Sequence, residues 1–171
     1  MANLIYRNRE TTKWFVPAAA AQAEDYAFEV HNLASGAGRQ SAPCDLGEGA
    51  VAALYEWRAF VQFATTPVLK EVVNIYLKTQ GSSASATAHP DNDDGTAEGA
   101  VSAIAKLDNL QWIGCIVVDE AAENVEMVAS GEVFITARAF NVVFWNATAD
   151  ALTNDVDENG FMLSPVPMEI Q

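Results

Sequence analysis

The sequence predicts an all-β protein, an antiparallel β-sandwich of jelly-roll type with an extended N-terminal arm. Short runs dense in β-branched and aromatic residues recur along the chain, each too brief for a typical helix. Two of these runs alternate cleanly, apolar on one face and mixed on the other, which suits two sheets closing over a shared core better than a buried parallel sheet. Gly, Pro, Asn and Asp punctuate the intervals, giving about eight strands and very little helix. A chain of 171 residues without an obvious linker is of single-domain size, so one core is expected. Half the residues are hydrophobic and only 19% are charged, which excludes a disordered tail or a coiled coil.

In chain order, residues 1–17 read as the arm and 18–171 as the sandwich domain. The first 13 residues hold Arg7, Arg9 and Lys13 against Glu10, a local charge of +2, which leaves −16 on the other 158 residues. Tyr6, Trp14 and Phe15 offer large apolar area at modest entropic cost, and Arg7 and Arg9 offer charge-assisted hydrogen bonds. These five are the candidate protein-interaction residues, anchoring a neighbouring subunit; the competing expectation is that the arm adds an edge strand to its own sheet. Lys13 to Ala23 imitates a secretory leader, but Pro17 breaks its apolar run and Glu10 lies in what should be a basic segment. No run reaches the ~20 apolar residues of a membrane span, so no membrane partner is expected.

The stretch from Tyr26 to Val30 alternates weakly and is expected as the first strand of the domain. Residues 32–49 read as loop, punctuated by Gly36, Gly38, Pro43, Gly47 and Gly49. From Tyr55 the pattern is clear, with Trp57, Ala59, Val61 and Phe63 sharing a face. After Thr65-Thr66-Pro67, a second strand sets Val73, Ile75 and Leu77 against Asn74, Tyr76 and Lys78. Residues 80–99 carry no large apolar side chain and are expected as an exposed, mobile loop. Residues 100–107 read as a helical turn or connector. The stretch from Leu110 to Trp145 contributes strands over 110–118, 132–136 and 140–145, expected to form the centre of one antiparallel sheet, with an acidic loop over 119–126. Phe161 to Ser164 reads as the last strand, with Pro165 and Pro167 holding the end extended.

Motifs for chemistry are sparse. Asp91, Asp93 and Asp94 suggest half of a calcium loop, but with Gly95 at the sixth position an EF-hand register puts Pro90 first and Val101 where a bidentate Glu belongs. No metal and no cofactor is therefore expected. Cys44 and Cys115 lack metal-ligand spacing; Cys115 reads as a small buried hydrophobe, and a disulfide between the two stays open. His31 and His89 accompany no GxSxG elbow or HExxH helix, so no catalytic residue is assigned and no enzyme is expected. Gly36-Ala37-Gly38 lacks the third glycine and the following helix of a dinucleotide site. Asn146-Ala147-Thr148 fits a glycosylation acceptor by chance composition. Trp57, Trp112 and Trp145 fall in strands, as core or subunit-interface residues rather than sugar platforms. A net charge of −14 disfavours nucleic acid as a partner.

Five segments carry a resemblance: Gly38-Arg39-Gln40-Ser41, Asp45-Leu46-Gly47, Lys106 to Gln111, Gly114 to Asp119 and Pro165 to Gln171. Together they resemble a family of small structural proteins of tailed bacteriophages, over nearly the whole chain from about residue 15. The resemblance implies a virion component made in the host cytoplasm: a head decoration, or cement, protein on the outer surface of the capsid. It implies binding to the major capsid protein as a small homo-oligomer such as a trimer. The alternatives are a tail, baseplate or fibre component with a sugar-binding role in host attachment, and an enzyme on a sandwich scaffold.

Overall fold

The structure, a computed structural model, describes residues 11–22, 24–47, 53–80 and 97–166. Its strands are β1 (Lys13–Val16), β2 (Tyr26–Ala27), β3 (Gly38–Gln40), β4 (Cys44–Asp45), β5 (Leu54–Val61), β6 (Val72–Gln80) and β7 (Gly99–Val101). After a 3-10 turn over Ile104–Leu107 come β8 (Gln111–Val117), β9 (Met127–Phe134), β10 (Ala139–Asn146) and β11 (Gly160–Pro165). The first sheet has the order β2-β1-β11-β5-β9 and the second β7-β3-β10-β6-β8, with β4 also on β10. All pairings are antiparallel except β1 with β2. The chain is an all-β sandwich.

Period-two alternation builds the core. Trp57, Ala59, Val61 and Phe63 of the β5 run and Val73, Ile75 and Leu77 of β6 point inward and are buried, as their pattern predicts. Phe161 and Leu163 of β11 meet Phe140 and Phe144 of β10 across the two sheets. Phe161 stands edge-on to Phe144 at 6.4 Å between centroids and stacks with Trp57 at 6.1 Å. Every residue of β10 is buried, and its outward Val143 and Trp145 form a second small cluster with Val101 of β7 and Leu107 of the 3-10 turn.

Some expectations need correction. The stretch from Leu110 to Trp145 is not the centre of one sheet. Only β10 is central, whereas β8 and β9 are lateral strands of different sheets. The acidic loop between them carries the chain from one sheet to the other, and the Trp57 indole fills the gap they leave. A Cβ on Gly114 of β8 would stand 2.8 Å from that ring, and one on Gly131 of β9 2.9 Å. These glycines also explain why β9 begins at Met127 rather than at Glu132. Ser130 and Gly131 lower strand propensity, but Gly131 fits beneath the indole and β5 holds all eight pairs in register. Gly131→Val should therefore cost about 1–3 kcal/mol by overpacking, read as a lower midpoint in urea with an unchanged slope.

Residues 32–49 contain strands β3 and β4 where a loop is expected. Gly38 serves close approach rather than a turn, since a Cβ there would lie 2.7 Å from Trp145 Cε3. The first strand of the domain is shorter than expected. After Ala27 the chain sends Phe28 and Val30 into the core, with Phe28 N donating to Val16 O at 3.0 Å. Cys115 is half-buried and Cys44 is the fully buried thiol, and no disulfide joins them. The loop expected over 80–99 lies, for 81–96, outside the described residues.

Candidate functional site

Of the five candidate interaction residues, Tyr6, Arg7 and Arg9 lie outside the described residues. The other two are adjacent in sequence and opposite in fate. Lys13–Val16 forms a strand between β2 and β11, so one side of it faces the core and the other faces out. Phe15 points inward, is fully buried and packs on Tyr26, Phe140 and Phe161 at 5.0, 5.9 and 5.7 Å. It is a core residue of its own domain and offers nothing to a neighbour. Trp14 points outward and is half-buried.

Trp14 begins a row across the outward face of the first sheet: Trp14 opposite Met162, Met162 opposite Arg58, Arg58 opposite Ser130. With Gln22, Phe60, Glu126 and Asp157, the side chains of Trp14, Met162 and Arg58 line an open groove of about 170 Å³. Its charged groups are already engaged. Arg58 Nη2 donates to Glu126 Oε1 at 3.3 Å, and Asp157 Oδ1 accepts from Ala21 N at 2.5 Å. Small-molecule pockets commonly run from about 300 to 1,000 Å³, so this groove suits one side chain of a protein partner better than a sugar chain.

The next rows of the same face hold residues that sequence reasoning missed. Glu56 of β5 stands directly opposite Glu132 of β9, both exposed. Beyond them Leu54 is opposite Phe134, whose side chain is 62% exposed. The signal was present: Val133 and Ile135 occupy the buried phase of the strand, which leaves Phe134 as a large apolar residue in the solvent phase. On the lateral strand of the other sheet, Trp112 is 57% exposed and not core, and Val117 is exposed as well.

Sites weighed for chemistry dissolve into structural roles or fall outside the described residues. Asp91, Asp93, Asp94 and His89 lie outside them, and among the described residues no three His, Cys, Asp or Glu side chains converge to hold a metal. His31 Nδ1 stands 3.2 Å from Glu29 at the surface. Burial first, then its bond to Cys44, pushes the Tyr26 phenol far above its ordinary range, which unfits it for proton transfer near neutrality. Asn146 of the acceptor-like tripeptide is fully buried. Its Nδ2 donates to Leu33 O at 3.1 Å and Asp150 O at 2.8 Å, while its Oδ1 accepts from Thr148 N and Oγ1. The motif ties two loops together. Lys78, expected on the mixed face of β6, is 1% exposed and donates to Gln40 Oε1 at 3.3 Å, beneath the segment that leads into β7. No protein-family model matches the chain, and no curated protein matches it.

Proposed function

We propose that the protein is a structural component of a tailed-phage virion, a decoration protein that cements the outer surface of the capsid by binding its major capsid protein. The observation that carries this reading is an acidic sandwich that leaves large apolar side chains exposed on both lateral strands: Trp112 and Val117 on β8, Val128 and Phe134 on β9. Exposed aromatics of this kind mark protein contacts. The resemblance of the five segments to phage structural proteins supplies the kind of assembly.

The strand order supports a jelly roll. With the two-residue β2 and β4 and the outermost β7 set aside, the remaining eight strands taken as B to I in chain order fall into sheets B-I-D-G and C-H-E-F. That wiring is shared by capsid and lectin domains, so it supports a virion role without deciding it. A cement protein gains from contacting several shell subunits at once, since binding only the assembled state stabilises it by mass action.

Purified protein should co-sediment with heads that lack it and raise their melting temperature. Heads left unbound and unstabilised at saturating protein, with retention on host surface polysaccharide instead, would overturn the capsid assignment in favour of a tail or fibre role.

A further inference from the structure

We propose that the outward face of the first sheet, centred on Glu56 and Glu132, receives residues 1–10 of a second copy of this chain, with Arg7 and Arg9 set against the two carboxylates. Two like charges directly opposite each other on neighbouring strands repel, and such a pair is retained at a cost unless a cation lies over it. The nearest described cation on the face, Arg58, is turned to Glu126 at 3.3 Å. On one side of the acidic pair the adjacent row is apolar, Leu54 opposite Phe134, and on the other it is Arg58 opposite Ser130, with Met162 and Trp14 further along that row. The occupant should therefore present basic groups with apolar ones on one side of them.

Residues 1–10 have that chemistry. Leu4, Ile5 and Tyr6 are followed by Arg7 and Arg9, with Glu10 the single acid, on a chain whose net charge is −14. The place where the described chain begins favours a second copy over the same one. Thr12 Oγ1 lies 2.9 Å from Ser164 Oγ, which holds the chain in line with β1 as it leaves the sheet. Reaching its own Glu56 would need a reversal of the chain back across β11 onto β5. Continuing outward needs none, and ten extended residues span roughly 33 Å, far enough to lie across a neighbour. A mutual exchange of arms makes a closed assembly, in which each copy gives one arm and receives one. The inference stands on the chain alone and holds whether or not the assembly sits on a capsid.

The test is a charge swap in the full-length protein, read by sedimentation equilibrium at low salt. Glu56→Lys with Glu132→Lys should weaken self-association about tenfold or more, as should Arg7→Glu with Arg9→Glu, and the two sets combined in one chain should restore it. All four positions lie on the surface or outside the described residues, and unchanged thermal midpoints would show that folding is intact. A photo-crosslinker in place of Tyr6, in a mixture of heavy and light isotope-labelled protein, should join heavy peptides to light ones at β9. Cross-links confined to single chains would overturn the exchange. So would charge reversals that leave association unchanged, or a wild-type chain that stays monomeric at every concentration.

Discussion

Phe15→Ala is expected to destabilise the isolated domain by about 3–5 kcal/mol, the cost of truncating a fully buried phenylalanine that touches both sheets. In a chain of this size that is a fall of roughly 10 °C in Tm. Trp14→Ala should leave the domain close to its native stability, because that ring stands over an open groove, and should act on association instead. The contrast separates the two roles within one strand. A small loss of stability for Phe15→Ala, with a large loss of association, would mean that β1 leaves its sheet to bind a neighbour.

Asn146→Leu should cost at least about 3 kcal/mol, the second large effect. The substitution removes the Nδ2 donor that joins Leu33 O to Asp150 O, leaving each with one partner, Leu152 N and Thr148 Oγ1, and it removes the buried acceptor of Thr148 N and Oγ1. Asn146→Asp separates hydrogen bonding from shape: it keeps the outline and the Thr148 bonds but sets a carboxylate against both carbonyls. It should be no better tolerated at neutral pH and should recover stability as acid protonates the new carboxyl. Equal stability of the two variants across the pH range would assign the effect to packing alone.

How much of this was legible follows from what each signal reports. Alternation reports burial on one face, so β5 and β6 could be read from it, while β10 and β11 showed as short apolar runs. It does not report which sheet a strand joins, which is why the acidic loop after Val117 looked like a hairpin within one sheet rather than a crossing between two. Glycine was the most misleading residue. Gly38 resembled loop punctuation and Gly131 broke the β9 pattern, yet both are absences of side chain that let Trp145 and Trp57 approach, a requirement set by residues distant in sequence. Trp14 and Phe15 were grouped as one apolar pair when their strand sends them to opposite sides. The pairing of Glu56 with Glu132 depends on register between strands far apart in the chain, which no local pattern carries.

The most direct measurement is a cryo-electron microscopy map of the intact particle, compared with a particle whose gene for this protein is deleted. A cement role predicts density for the sandwich at regular positions on the outer capsid surface, each copy touching more than one major capsid subunit, and none of it in the deletion particle. Unchanged heads, with the missing density at the tail, baseplate or fibres, would contradict it.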